Sequence, residues 1–357
     1  VKDIIWIWFS RKLNSIWYSQ SILSWLLLPI SYCFWILTKL RKLGYFLGIF
    51  KIYRASVPVV VVGNITVGGT GKTPLVVRLA QLLEEKGWRP GVICSGYGGY
   101  SRKWPIRVSS DTRLKAIGDE AMLLFEKVVC PVVAGSRRSE SVEMLLNEYS
   151  VDVVVSDDGL QHYALERDVE IAVIDGSRRF GNNRLLPAGP LRENKERLDD
   201  VDFTVVKGCF SGHEIGMLFE PVNLSNLLNP FNQVTLERFR GMTVNAVAGV
   251  GSNESFFKLL LEKGIKCIPR AFPDHYVYSA SDLDFSDNLP VIMTEKDAVK
   301  CRAFAGEDWW SLSIRAVLPH EFEVQFLKKL SRYRNEQKTS RTTGMSSNKR
   351  AASLRQE

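Results

Sequence analysis

The chain has 357 residues, enough for two α/β domains, and its 45% hydrophobic and 24% charged content belongs to a folded globular protein. Six scattered cysteines, without a CxxC pair or zinc-type spacing, argue against a disulfide framework or a structural zinc and for a reduced setting. The net charge of +8 sits on the ends, with +7 over residues 1–54, +5 over residues 331–357 and −4 left for the rest. That distribution excludes a basic nucleic-acid groove in the folded core and suits an anionic membrane surface.

An aromatic stretch from Ile4 to Phe9 precedes an apolar run from Ile22 to Leu37, followed by Lys39, Arg41, Lys42, Lys51 and Arg54. No small-residue cleavage site follows, and the basic cluster is on the wrong side for a signal peptide. The run is short for a span and Pro29 interrupts it. It reads as a transmembrane helix, as a helix lying in the membrane interface, or as a buried core helix. If it spans, the trailing cations leave the rest of the chain in the cytoplasm.

From Val57 the pattern becomes alternating strands and helices. Strands are predicted at Val57 to Val62, Val92 to Cys94, Val132 to Ala134, Val151 to Val155 and Val169 to Ile174. Helices are predicted at Pro74 to Lys86, Asp119 to Lys127 and Glu140 to Tyr149. Short β-branched strands between amphipathic helices predict an α/β fold with a parallel sheet covered on both faces. A second, smaller α/β unit follows, with strands at Val244 to Val247, Pro290 to Thr294 and Leu312 to Val317 and a helix from Glu254 to Lys263. The expected division is an anchor and basic flank at 1–54, a P-loop domain at 55–217, a linker at 218–240, a smaller α/β subdomain at 241–331 and a disordered basic tail at 332–357.

The first strand runs into Thr66-Val67-Gly68-Gly69-Thr70-Gly71-Lys72-Thr73, with Pro74 in the first turn of the next helix. Glycines let backbone N–H groups approach phosphate oxygens, and the helix start behind them favours an anion. Lys72 suits the β- and γ-phosphates, and the Thr73 hydroxyl suits Mg²⁺. The segment therefore reads as a nucleoside triphosphate cradle, although Thr66 stands where the usual pattern has its first glycine. A further strand ends in Ser156-Asp157-Asp158-Gly159. Carboxylates there face the crevice where open α/β sheets bind ligands, and can hold a magnesium shell.

Phosphoryl transfer also needs a group to take the acceptor's proton. Asp119 begins a predicted helix, where a carboxylate is also an ordinary cap. Phe272-Pro273-Asp274-His275-Tyr276 sets a carboxylate beside an imidazole, as an acid–base pair or as a surface turn. Leu186 to Leu191 is a rigid Pro/Gly loop that leads into Arg192 and Glu193, suited to hold a guanidinium against a phosphate. Arg137 and Arg138 form a second basic pair, facing an anion or solvent. The charges of Thr294-Glu295-Lys296-Asp297 face the site or solvent.

Together these pieces resemble the tetraacyldisaccharide 4′-kinase family. The likeness rests on Asn64 to Pro74 (NITVGGTGKTP), Gly118-Asp119-Glu120, Asp157 to His162 (DDGLQH), Leu185 to Glu193 (LLPAGPLRE), Phe272 to His275 (FPDH) and Thr294 to Lys300 (TEKDAVK), in the family's order. The resemblance implies transfer of the γ-phosphate of ATP to the 4′-hydroxyl of a tetraacylated glucosamine disaccharide 1-phosphate, giving lipid IVA at the cytoplasmic face of the inner membrane. It implies that Asp119 is the catalytic carboxylate, working with His275 and with Asp274 beside it. It implies magnesium contacts from Thr73, Asp157, Asp158 and Glu193. It also implies that Arg192, Gln161 and Arg138, or Arg137 in its place, face the phosphates or the substrate.

Two positions depart from the family pattern. Tyr276 stands where many members carry a second histidine, and Leu160 replaces an aromatic. The rival reading is a membrane-associated P-loop ATPase or GTPase switch. Its mark is a lysine directly before the paired glycines, where this chain has Val67.

Overall fold

The computed structural model describes residues 16–19, 21–249 and 253–333. The Ile4 to Phe9 stretch, the Val250-Gly251 pair and the basic tail from residue 334 lie outside the described residues. The apolar run forms two helices, α1 (Ile22–Leu26) and α2 (Leu28–Phe46). Ser21 caps α1 by accepting the Leu23 N–H, and Pro29 falls in the first turn of α2, where its missing N–H leaves no helical bond unmade. Among the described residues, no helix is long and apolar enough to cross a membrane.

The larger unit comprises β1 (Val59–Gly63), α3 (Lys72–Glu85), β2 (Pro90–Cys94), β3 (Ile106–Arg107), α4 (Leu114–Ile117), α5 (Asp119–Lys127), β4 (Val132–Ala134), α6 (Arg138–Glu148), β5 (Val153–Asp157), β6 (Val169–Asp175) and β7 (Phe203–Lys207). Its strands are parallel except at the β3 edge. β1, β2 and β5 are buried along their whole length, which explains their unbroken Val/Ile runs. α3 lays Leu75, Val76, Leu79 and Leu83 on one face of the sheet, while Val142 and Leu145 of α6 cover the other. Each such side chain contributes about 2 kcal/mol by leaving water.

The smaller unit holds β8 (Ile215–Asn226), β9 (Gln233–Val234), β10 (Thr243–Ala248), α7 (Asn253–Glu262), β11 (Lys266–Ala271), β12 (Val291–Thr294), α8 (Glu295–Cys301) and β13 (Trp309–Val317). A final helix, α9, covers 320–333. The thirteen strands among the described residues form one sheet, ordered β11-β10-β12-β13-β8-β7-β6-β1-β5-β2-β4-β3, with β9 on β8.

Two features differ from the expected division. Most of 218–240 is strand and 3-10 turn rather than linker. β8 pairs parallel with β7 through Ile215–Met217 and antiparallel with β13 from Leu218 onward, so one strand belongs to both halves of the sheet. α9 also returns to the larger unit, where Phe322, Phe326 and Leu330 enter its core.

Candidate functional site

The phosphate loop lies between β1 and α3. Gly71 is the residue before α3, at φ 92°, and Gly68 sits at φ 106°, both in the left-handed region where glycine is unstrained. A side chain on Gly71 would come within 2.8 Å of the Phe219 ring. Lys72 reaches back to Asn64 Oδ1 at 3.3 Å and to Asp158 Oδ1 at 3.4 Å. The Thr70 hydroxyl is buried without a hydrogen-bond partner.

β5 ends beside this loop, and its last residue, Asp157, differs from Asp158 just past it. Asp157 is buried, and its Oδ2 accepts the Thr73 hydroxyl at 3.1 Å while Oδ1 has no partner. Burial, reinforced by the charge of Glu120, pushes its acid up to about 7. Asp158 sits at φ 49°. Burial alone would raise its acid, but Lys72 and Arg192 overcome this and hold it well below the usual carboxylate range. Arg192 NH1 lies 3.1 Å from both oxygens of Asp158 and 3.4 Å from Gln161 Oε1. Asp157 and Thr73 fit a magnesium ion on these grounds: an unpartnered buried carboxylate oxygen and a hydroxyl beside it. Among the described residues, no group of three or more His, Cys, Asp or Glu side chains could hold a metal.

Glu193 has a different setting from the one expected. It accepts from Gln161 at 2.9 Å and from the Tyr163 hydroxyl, and pairs with Lys42 of α2 at 2.6 Å. Burial opposes its charge, but these donors lower its acid below the ordinary glutamate value. It therefore ties the N-terminal helix to the nucleotide loop. Arg138 is likewise engaged: it is buried and donates to the carbonyls of Gly135 at 2.8 Å and Asp157 at 2.7 Å. Arg137 is exposed and pairs with Glu140. Arg138 thus braces the end of β5 from behind.

The remaining groups come from both units. α5 and α8 pack together, tied by a Lys127–Glu295 pair and by Glu126 to Arg302 just past α8. Gly118, at φ 81°, lets the chain turn sharply into α5 and buries Asp119 in its first turn. His275, at φ 57°, points its Nδ1 to within 3.2 Å of both Asp119 oxygens. Burial works against the Asp119 charge, yet the His275 bond and the nearby lysines bring its acid down to about 2. Burial also disfavours a charged His275, but the bond to Asp119 prevails and its proton affinity is raised.

Lys296 closes the cluster, with Nζ 3.2 Å from Glu120 Oε1, 3.0 Å from Asp274 Oδ1 and 3.3 Å from His275 Nε2. Sequence reasoning left this lysine between site and solvent. The signal was its place at the start of a helix directly after a strand end. Asp297 beside it is fully buried, taking bonds from the Gly249 N–H and the Thr294 and Tyr278 hydroxyls.

The two departures have local explanations. Tyr276 turns away to bond Asp282 and packs on Phe272 and Tyr278. Leu160 is buried against Gly63, where a side chain would come within 2.6 Å of it.

The Leu185–Glu193 loop has a role that the sequence did not reveal. Its Pro190 carbonyl accepts from Val67, and Arg192 N–H donates to Ile65, so it clamps the nucleotide loop. Its other side receives the N-terminal helices: Ser24 donates to Ala188 O at 2.9 Å, and Ser31 to Leu185 O at 2.9 Å.

A family model described as tetraacyldisaccharide-1-P 4′-kinase matches residues 23–331. The tetraacyldisaccharide 4′-kinase of Nitrosococcus oceani is 43% identical over 336 residues, 94% of this chain and 99% of that one. The protein of that name from Pseudoalteromonas atlantica is 46% identical over 308 residues, 85% of this chain and 99% of its own. A crystal structure described as the apo form of LpxK from Aquifex aeolicus in complex with ATP superposes with a TM-score of 0.73 at 33% identity, covering 87% of this chain and 98% of that one. With a carboxylate ending β5, a second just past it and an Asp–His pair between the two units, the chain belongs to the tetraacyldisaccharide-1-P 4′-kinase family.

Proposed function

We propose that this chain transfers the γ-phosphate of ATP to the 4′-hydroxyl of tetraacyldisaccharide 1-phosphate, giving lipid IVA in lipid A biosynthesis. The observation that carries the reading is Asp119, buried in the first turn of α5, with its carboxylate on His275.

In this reading the residues divide the work. Residues 66–73 cradle the phosphates, with backbone N–H groups and Lys72 facing the charge that spreads over the transferring group. Thr73 and Asp157 would hold Mg²⁺, which neutralises phosphate charge when bound. Asp158 and Arg192 fix each other beside Lys72, and Gln161 links Arg192 to Glu193. Asp119 takes the proton of the 4′-hydroxyl as the new O–P bond forms and the bond from the γ-phosphorus to the bridging oxygen breaks, releasing ADP. His275 donates through Nδ1 to hold that carboxylate in place, and Asp274 steadies the loop by accepting the His275 N–H at 3.1 Å. A cavity of about 340 Å³ opens between α2 and the site, lined by Phe34, Thr38 and Arg41 on one side and Asp158, His162 and Arg192 on the other. It gives the acceptor a route between the helix and the nucleotide.

The lipid acceptor also accounts for the N-terminal helices. Their docked face carries Ser24 and Ser31, while Ile22, Leu26, Ile30 and Leu37 are exposed. An apolar face beside Lys39 and Arg41 suits a helix lying in an anionic interface. We place the enzyme at the cytoplasmic face of the inner membrane on that basis. Flotation with anionic vesicles tests this: Ile22→Glu with Leu26→Glu should leave the protein at the bottom of the gradient, and undiminished flotation would contradict it.

The activity itself is tested with labelled ATP and the tetraacyldisaccharide 1-phosphate. Label should appear in the lipid. Label found only in free phosphate would replace the kinase reading with an ATPase.

A further inference from the structure

Most of the charge on α2 points outward, but one lysine goes in. Ser31, Phe34, Thr38, Lys42 and Tyr45 recur at steps of three or four residues and form the docked face, while Lys39 and Arg41 are exposed. Lys42 Nζ lies 2.6 Å from Glu193 Oε2 and 5.3 Å from the centre of the Tyr163 ring, whose hydroxyl donates to the same carboxylate. Glu193 is buried, so its charge needs a partner there. From it a line of contacts runs to the phosphate loop. Gln161 Nε2 donates to Glu193 Oε1 at 2.9 Å, and Gln161 Oε1 faces Arg192 NH1 at 3.4 Å. Arg192 NH1 lies 3.1 Å from both Asp158 oxygens, and Lys72 Nζ stands 3.4 Å from Asp158 Oδ1.

We infer that Lys42 is a positioning residue for the nucleotide: by pairing with Glu193 it leaves Arg192 to Asp158, and so keeps the Lys72 ammonium available to the β- and γ-phosphates. The inference rests on the reading of residues 66–73 as the phosphate cradle. It gives α2, the helix with the exposed apolar face, a hold on the nucleotide as well as on the route of the acceptor.

The balance of charge explains why a lysine is needed on the helix. Glu193 and Asp158 are two carboxylates joined through Gln161 and Arg192. Lys42, Arg192 and Lys72 are the cations set against them. With Lys42 in place each carboxylate has its own cation, and Lys72 is the surplus. Arg197 is a poor substitute: its Nε is 3.8 Å from Glu193 Oε2, while its NH2 holds both oxygens of Glu170. Without Lys42, Glu193 competes for Arg192, which already lies against Gln161. Asp158 then takes Lys72, and an ammonium held by a carboxylate is lost to a phosphate.

The test measures binding of a non-hydrolysable ATP analogue with Mg²⁺ to the full chain in detergent micelles by calorimetry, with steady-state kinetics alongside. Lys42→Met should weaken the analogue about tenfold and raise KM for ATP in step, with a smaller change in kcat at saturating ATP. Lys42→Arg, which keeps the cation, should restore the affinity. Glu193→Gln removes the charge that needs the pairing, so adding it to Lys42→Met should recover most of the lost affinity. Wild-type affinity in Lys42→Met would overturn the proposal. A Lys42→Met defect that Glu193→Gln leaves untouched would overturn it too, because a helix that merely comes loose is not mended by that change. If Lys42→Met does not fold, Lys42→Gln decides: it can still donate to Glu193 but carries no charge, and wild-type affinity there counts equally against the proposal. Lys72→Ala binding the analogue as tightly as wild type would instead remove the cradle reading, so the two failures are distinguishable.

Discussion

Asp119→Asn is expected to separate chemistry from nucleotide binding. The amide keeps the shape of the carboxylate and a contact with His275, but cannot take a proton at neutral pH. Positioned proton transfer contributes about 10²- to 10⁴-fold to rate, or roughly 3–5 kcal/mol of barrier. The acid of Asp119 is held at about 2, so it is a weak base. That places the loss toward the lower end, about 10²- to 10³-fold in kcat. KM for ATP should stay within about twofold, because Asp119 belongs to α5 and the phosphate loop to β1 and α3. The same lowered acid sets a stability term. A fall from 3.8 to about 2 corresponds to roughly 2 kcal/mol in favour of the folded, ionised state. A depressed acid stabilises above its unfolded value, so in the wild type this term is present at neutral pH and is lost as pH falls from about 4 to 2. Asp119→Asn should lack that acid-sensitive component. Steady-state kinetics in lipid micelles and urea melts at neutral and acid pH measure both effects. Near-normal kcat would refute the base assignment. A pH dependence of stability identical to wild type would refute the electrostatic account of the pair.

Three further outcomes follow from the geometry. Gly118→Ala places a side chain 2.0 Å from the Tyr97 carbonyl oxygen at a backbone φ of 81°, and should cost about 2–3 kcal/mol in a denaturant melt while lowering kcat. Asp297→Ala strips four partners of a fully buried carboxylate, among them Lys300 at 2.9 Å, and should cost about 3–5 kcal/mol; a melt within 1 kcal/mol of wild type would contradict the anchoring role. Arg138→Lys loses the fork that spans Gly135 and Asp157, and should lower kcat about tenfold with less than half that change in ATP affinity at saturating magnesium, as read by kinetics and calorimetry.

Much of the fold was legible because its strands are buried on both faces. Val59 to Val62 and Val153 to Val155 had to be uninterrupted and β-branched, and no helix of that length would be. The phosphate loop was legible because its backbone needs glycine at Gly68 and Gly71. β8 escaped because Ile215–Asn226 alternates between buried and exposed positions in two different pairings, so no single period marks it. The return of α9 to the larger unit is a long-range contact that amphipathicity alone cannot place.

At the site, the sequence singled out Asp119, Asp274 and His275, and the fold brings them into one cluster. It could not place Glu193 or Arg138. An acid and a guanidinium within motifs read as ligands, whereas burial turned one toward Lys42 and Tyr163 and the other toward backbone carbonyls. Lys296 was hidden for the opposite reason: a lysine in a run of charges resembles a solvated helix start until the α5–α8 packing is seen.

The most direct measurement locates the new phosphate. After incubation of the enzyme with ATP, Mg²⁺ and tetraacyldisaccharide 1-phosphate, ³¹P and ¹H NMR of the purified lipid should show a second phosphate coupled to the 4′ proton, absent when Lys72→Ala replaces the wild type. A lipid that gains no phosphate, gains it elsewhere, or gains it equally with Lys72→Ala would contradict the account.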